Sequence, residues 1–288
     1  MLEGGGMRSA YTAGVLDFFL DEEFEFPVVA TASSGALIGS SYIAKQRTRN
    51  YQILQAVGNN SKSVSVINWL RNREIFNMDY IFDQIPRDII PLNYQSFTQS
   101  PSTFIIGTTD IQTGKPLYFN RYETIDDLLT ITRASCSLPV LAPSVRYQGK
   151  ELLDGGISNP IPIHPLITQG IKKHIVVLTR NRGYIKKATK LNWFFQRLFK
   201  NNPELVRILR DRHILYNQTM HLLYEMEKRN EVFILQPERP LRAARIEKNK
   251  EKLEELYNQG YEETKAKKEI LLAFLESQTQ DKTSTIPS

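Results

Sequence analysis

Thr31-Ala32-Ser33-Ser34-Gly35 decides the reading of this chain, because of what lies on either side of it. Phe24 to Ala32, with Val28-Val29 inside it, fits a short buried strand. Gly35 through Ala44, carrying Ala36, Gly39, Ser40 and Ser41, reads as a helix of small residues able to pack closely under a sheet. Strand, tight turn, helix is the setting that lifts a serine clear of a sheet for nucleophilic attack. Such a turn crowds the positions two before and two after the serine. Gly35 satisfies the second, which selects Ser33 over Ser34, whereas Thr31, a stiff β-branched residue, occupies the first. A bare S-x-G is also what a serine capping a core helix looks like.

A serine hydroxyl needs a base within hydrogen-bond reach and donors for the oxyanion that forms during acyl transfer. Gly4-Gly5-Gly6-Met7-Arg8 offers backbone amides, the positive end of the helix that follows, and the charge of Arg8. The same glycines fit a phosphate-binding loop or a plain turn. For a dinucleotide loop, however, Ser9 stands at the last position, only Met1-Leu2-Glu3 precede, and no acidic ribose ligand stands out. Far downstream, Asp154-Gly155-Gly156 follows a strand signal at Glu151 to Leu153 and supplies a carboxylate, or simply a turn. The histidines do not compete well for the role of base. His164 lies between Pro162 and Pro165 and is expected to pack against neighbouring structure, while His174, His213 and His221 fall on strand or helix patterns. A Ser33–Asp154 dyad is therefore favoured over a Ser-His-Asp triad.

Elsewhere the pattern alternates. Val15, Leu16, Phe19 and Leu20 mark a first helix ended by Asp21-Glu22-Glu23, and residues 46 to 100 read as helices and loops rich in aromatics. Thr103 to Thr109 and Lys115 to Asn120 are predicted strands, Glu123 to Ala134 a helix, and Ser144 to Leu153 a hairpin. His174 to Thr179 and Glu231 to Gln236 are further strands, and Ala243 to Glu276 is a charged helical stretch before a polar, frayed end at Ser277 to Ser288. Strands alternating with helices imply a largely parallel sheet covered on both faces. The expected division is a core over 1–180, a basic helical segment with the last strand over 181–240, and a charged helical tail over 241–288.

With 288 residues, 41% apolar and 24% charged, the chain can bury a sizeable core. A single cysteine, Cys136, excludes an intrachain disulfide framework, and no ligand-like spacing suggests a metal. Without a leader pattern or an apolar run long enough to span a bilayer, a soluble cytoplasmic protein is expected. The net charge of +6 is concentrated between Arg180 and His213, where only Glu204 and Asp211 oppose ten basic residues. Such a field attracts anions: phospholipid headgroups, nucleic acid or acidic partners.

Glu3-Gly4-Gly5-Gly6-Met7-Arg8, the Ser33 elbow, Ala134-Ser135-Cys136-Ser137-Leu138-Pro139 and Leu153-Asp154-Gly155-Gly156, in that order, resemble the patatin-like phospholipases from about Glu3 to Arg180. Leu253 to Tyr261 is similar to the tail of short bacterial members. The resemblance implies a three-layer α/β/α fold with a mainly parallel sheet and a helical tail. It also implies a lipid acylhydrolase that works without cofactor or metal. Carried over by position, Ser33 is the nucleophile, Asp154 the general base, and Gly4, Gly5 and Gly6 the oxyanion loop with Arg8 in its motif; Thr31, Gly35, Gly155 and Gly156 support the elbow and the Asp motif. The chain departs from the pattern at Thr31 and Ser9, where glycine is usual, and in the short run before the loop.

A lipid-binding protein that keeps the fold without turnover is the rival these departures motivate. The segment Leu191 to Lys200 interleaves aromatic and basic residues, and either rests on an anionic bilayer or packs its aromatics on the core with its charges in water. No helix-turn-helix, zinc or RNA-binding signature accompanies the charge, so nucleic acid is not an expected partner.

Overall fold

The computed structural model describes residues 1–59 and 75–277. In chain order its main elements are α1 (Ala10–Asp21), β1 (Val28–Ala32), α2 (Ser34–Ile43), α3 (Arg49–Asn59) and a wide π-helical stretch at Tyr80–Ile89. Next come α4 (Tyr94–Gln99), β2 (Thr103–Asp110), β3 (Pro116–Phe119), α5 (Ile125–Cys136), β4 (Val145–Tyr147) and β5 (Lys150–Asp154). The chain continues through α6 (His164–Thr168), β6 (His174–Val177), α7 (Asn192–Leu198), α8 (Pro203–Lys228), β7 (Val232–Leu235), α9 (Lys250–Ala266) and α10 (Lys268–Glu276). The frayed end expected beyond Ser277 lies outside the described residues, as does part of the aromatic-rich stretch after α3.

The sheet is parallel on one side and antiparallel on the other. β6 and β7 pair in parallel, as do β1 and β2, and Leu2 bridges Thr31 and Val177 so that the two halves form one sheet. β3 runs antiparallel along one edge of β2, pairing Ile106 with Phe119 and Thr109 with Pro116. β1 and β5 share the other edge end to end. Ala32 pairs with Gly107, and Asp154 pairs with the next residue, Thr108. β4 extends the antiparallel side through its hairpin with β5.

Successive strand residues face opposite sides, and two core layers follow from that alternation. Val29, Phe104, Ile106, Val177 and Leu235 join the helical layer built on Ala10, Leu16, Phe19, Ile38 and Leu256. Ala30, Ile105, Val176 and Ile234 face the layer of Tyr216, Met220 and Leu223 from α8, with Ile161 and Ile163. A third cluster joins Ile111, Leu153 and Ile157 to Phe195, Leu205 and Leu209. The result is helix on sheet on helix.

The C-terminal helices are fastened to this core. A Cβ on Gly14 of α1 would lie 1.9 Å from the carbonyl oxygen of Tyr257, and one on Gly260 of α9 would lie 2.0 Å from that of Tyr11, so the two backbones touch. The Tyr257 hydroxyl donates to buried Asp17 at 2.7 Å and the Tyr11 hydroxyl to Glu263 at 2.9 Å. Where the sequence reading began a helix at Ala243, the structure begins it at Lys250. The side chain of Asn249 accepts from the amide of Lys252 at 2.8 Å and caps the helix there.

Candidate active site

The end-to-end meeting of β1 and β5 on β2 creates the site. Ser33 follows Ala32 at the carboxyl end of β1, and Asp154 closes β5, so adjacent residues of β2 hold both neighbours in register. The Ser33 Oγ donates to Oδ2 of Asp154 at 2.6 Å. Ser33 has φ +56° and ψ −137°, a conformation that costs a non-glycine residue roughly 1–3 kcal/mol and that recurs where a nucleophile is held out of a turn.

Neighbouring groups hold this strained corner in place. The amide of Ser33 donates to Oγ of Ser135 at 2.8 Å, and that hydroxyl donates to the Gly107 carbonyl at 2.7 Å. The amide of Asp154 donates to the Ser137 carbonyl at 2.9 Å, and the hydroxyl of Thr109 to the Asp154 carbonyl at 2.8 Å. The amide of Gly156 donates to Oδ1 of Asp154 at 2.8 Å, which fixes the carboxylate plane. Gly155 is required by space: its Cβ would fall 2.1 Å from the Gly107 carbonyl oxygen. Burial raises the Asp154 carboxyl above the ordinary range, opposed by Arg212, by the Ser33 hydrogen bond and by Arg245. A raised carboxylate is a better base than a free one.

The glycine loop lies against the elbow. A Cβ on Gly4 would fall 2.5 Å from Cβ of Ser33, and one on Gly35 would fall 2.8 Å from the Leu2 carbonyl oxygen. The amides of Gly5 and Gly6 both donate to Oγ of Ser34, each at 2.9 Å. With both lone pairs engaged, the Ser34 hydroxyl donates to Oγ of Ser9, 2.7 Å away. Ser9, unusual at its motif position, is thus the partner of the Ser34 hydroxyl. Thr31 is likewise accommodated: it is fully buried in β1, with its hydroxyl donating to the Ile105 carbonyl at 2.9 Å. Arg8 is buried, with its Nε unpartnered.

No histidine lines either cavity at Ser33. His164 is exposed at the start of α6, which corrects the expectation that it packs; it is the first residue of a short helix with Pro165 in its first turn, at the surface of the protein. His174 is buried in β6, where burial first and the neighbouring terminal amine second push its imidazole down to about 4. His213 and His221 lie on α8, the latter exposed.

Two cavities meet at Ser33. One, of about 320 Å3, is bounded by Asp154, Gly156 and a group of basic side chains. The other, of about 100 Å3, is apolar, with Leu37, Ile53, Val57, Met78 and Phe82 in its wall. Gly6, Ser33, Leu138 and Arg245 line both. Sequence reasoning assigned no role to Ser135, although its segment was noted, and treated the basic run as a surface field. Instead Arg180, Lys186 and Arg212 turn into the polar cavity, together with Arg245 from beyond the run.

Fold and elbow place the chain among α/β proteins that carry a serine on a strand-to-helix turn. Within that class the family model described as "Patatin-like phospholipase" matches residues 1–167, and the chain belongs to that family. A second family model, "Domain of unknown function (DUF6363)", matches residues 202–276. The chain is 28% identical over 182 residues to "Uncharacterized protein YjjU" of Escherichia coli (strain K12), covering 62% of this chain and 50% of that protein. It is 28% identical over 174 residues to "Uncharacterized NTE family protein Rv1063c" of Mycobacterium tuberculosis (strain ATCC 25618 / H37Rv), covering 57% and 44%. The chain therefore spans about half the length of these relatives. VipD from Legionella pneumophila aligns over 96% of this chain and 66% of its own at 11% identity, with a TM-score of 0.45.

Proposed function

We propose that this protein is a serine acylhydrolase that cleaves carboxylic ester bonds in lipids through a Ser33–Asp154 dyad. The observation that carries the reading is the 2.6 Å bond from Ser33 Oγ to Asp154 Oδ2 at a strained elbow, with no histidine beside it. Asp154 takes the hydroxyl proton as Ser33 attacks the carbonyl carbon. The tetrahedral intermediate collapses to an acyl-serine, and the departing alkoxide takes the proton from Asp154. Water, deprotonated by the same carboxylate, then attacks the acyl carbon, and Ser33 Oγ leaves as the acid is released and takes the proton back from Asp154.

The amides of Gly5 and Gly6 already converge on one oxygen atom, which is the geometry an oxyanion requires. On this reading the Ser34 hydroxyl gives way to the substrate oxygen. The apolar cavity takes the acyl chain, in keeping with the lipid substrates of the family.

Membership of a phospholipase family gives the exposed side of α7 a meaning. Trp193 of α7 is 66% exposed, with exposed Lys190, Arg197 and Lys200 close to it in sequence, while Phe195 is buried and Phe194 and Phe199 pack on the core. This face rests on the anionic inner surface of a membrane, with the protein peripheral to it. No helix among the described residues is long and apolar enough to cross a bilayer. Co-sedimentation with anionic vesicles but not with neutral ones is the expected result.

Ser33→Ala and Asp154→Asn are each expected to abolish hydrolysis of p-nitrophenyl and phospholipid esters while the fold is retained. Full activity in Ser33→Ala refutes the dyad. The occupancy of the Gly5 and Gly6 amides by Ser34 favours the second reading, lipid binding without turnover. Covalent labelling of Ser33 by a fluorophosphonate decides against that reading, and absence of labelling supports it.

A further inference from the structure

We infer that the polar cavity beside Ser33 is a binding site for a phosphomonoester group, completed by Arg212 and Arg245 from outside the stretch matched by the phospholipase family. Arg212 reaches it from α8, and Arg245 from the segment before α9. The amide of Met7 donates to the Arg245 carbonyl at 3.0 Å, which ties that segment to the glycine loop. Arg8, Arg180, Lys186 and Lys187 complete the basic lining, against only two carboxylates, Glu3 and Asp154.

Arg180 lies over the Tyr184 ring at 4.4 Å and Lys186 over the Tyr216 ring at 4.6 Å, but no carboxylate among the described residues pairs with these cations. None of the six forms an ion pair among the described residues. Nε of Arg8 and Nε of Arg212 are buried with no hydrogen-bond partner, and Arg8 is only 5% exposed. Glu3 offsets these charges only in part: it forms no ion pair with any of them, and its Oε2 accepts from the amide of Thr179 at 2.6 Å and from its hydroxyl at 3.1 Å. Burial, and after it the charges of neighbouring arginines, push Arg8 and Arg212 down to about 10 and Lys186 to about 7. Buried donors without acceptors and mutually repelling charges both oppose folding, and an anion in the cavity relieves both.

The number of charges narrows the class of anion. A phosphomonoester carries close to two negative charges near neutral pH and presents three terminal oxygens, which planar guanidinium forks bind in pairs. A phosphodiester offers one charge and two free oxygens. A choline or ethanolamine headgroup would bring a cation into a lining that already repels itself. Because Ser33 stands between this cavity and the apolar one, a ligand with phosphate on one side and an acyl chain on the other spans the nucleophile. As a statement about substrate this rests on the acylhydrolase reading; as a statement about binding it does not.

The test is calorimetric titration of the full-length Ser33→Ala protein with inorganic phosphate and with glycerol 3-phosphate. Saturable binding is expected, weakened about tenfold to a hundredfold by Arg212→Gln and by Arg245→Gln, and unmoved by Lys228→Gln on the outer surface of α8. Without phosphate, both cavity variants are expected to melt higher than their parent. Binding of neither probe, or binding unchanged in both cavity variants, overturns the inference. A 1-acylglycerol 3-phosphate, used below its micelle concentration, distinguishes the source. Tighter binding than glycerol 3-phosphate assigns the site to a lipid headgroup, and equal binding to a soluble phosphomonoester; preference for the matching phosphocholine lipid overturns the class. Failure of the wild-type protein to hydrolyse any ester would remove the acylhydrolase reading and leave these binding results standing.

Discussion

Replacing Gly155 by alanine tests whether the register of β5 on β2 is what holds Asp154, the proposed base, in place. The new Cβ would lie 2.1 Å from the Gly107 carbonyl oxygen and 2.6 Å from its carbon, both main-chain atoms of a central strand. Real contacts of this kind stay beyond about 3 Å, so β5 has to move by about 1 Å at the residue after Asp154. Overpacking of this kind costs roughly 1–3 kcal/mol, or about 2–5 °C in Tm for a chain of this size. A displacement of 1 Å between reacting groups costs on the order of a hundredfold in rate. Hydrolysis of a short-chain p-nitrophenyl ester, followed beside thermal melting, is therefore expected to show kcat/KM reduced about a hundredfold in a protein that still folds. Gly149→Ala is the control. It lies in the turn of the same hairpin at φ +74° with nothing within 4 Å of its Cβ, so it carries about 1–2 kcal/mol of backbone strain without pushing on β2. It should lower Tm and spare activity. Wild-type kcat/KM in folded Gly155→Ala, or an equal loss in Gly149→Ala, refutes the reasoning.

Ser34→Ala leaves the amides of Gly5 and Gly6 without their acceptor and is expected to lower stability by about 1–3 kcal/mol while kcat is kept or raised, since the oxyanion no longer displaces a hydroxyl. Lost kcat at unchanged Tm would instead make the Ser34 hydroxyl part of the catalytic apparatus. Thr31→Gly, which restores the usual elbow residue, removes a buried hydrogen bond and side-chain packing; it should cost about 1–2 kcal/mol in denaturant titrations and bring no gain in activity. On the proposed mechanism hydrolysis needs Asp154 ionised, so activity is expected to fall as pH drops through its raised pKa. Arg212 opposes that rise, with Arg245 behind it, and Arg212→Gln should move the acid limb of kcat for a neutral ester to higher pH; a limb that stays put or moves down contradicts the assignment of the base.

What the sequence made legible was local. Val28 to Ala36 carries the strand, the turn and the close-packing helix within nine residues, and each is settled by neighbours in the chain. The hairpin ending at Asp154 was legible for the same reason. Its position on β2 was not, because that depends on β1 leaving half of one edge free, and register between distant strands leaves no mark at either one. The basic run was legible as charge but not as geometry. Lys190, Arg197 and Lys200 are exposed and line no part of the cavity, whereas Arg180, Lys186, Lys187 and Arg212 line it. Arg245 lies outside the run; Gly14 and Gly260 let α1 and α9 approach backbone to backbone, and the Met7 amide, donating to the Arg245 carbonyl at 3.0 Å, ties the segment before α9 to the glycine loop.

That approach also bears on how a carboxylate can replace a histidine. In a triad the imidazole bridges the distance between a serine and an acid anchored elsewhere. Here β5 runs antiparallel and begins its pairing with β2 one residue after β1 ends, which removes that distance. The difficulty left is basicity, since a free aspartate has a pKa of about 4. Burial raises Asp154, and the arginines carried by the C-terminal segment restrain it. The proposed base is thus held between two opposing effects, one from burial in the core fold and one from the segment packed on it. An Asp154 that is too weak a base would leave Ser33 protonated, whereas one raised without restraint would itself be protonated and unable to act. On this account the segment over 202–276 is part of how the dyad works, because two of the cations that set its base come from there.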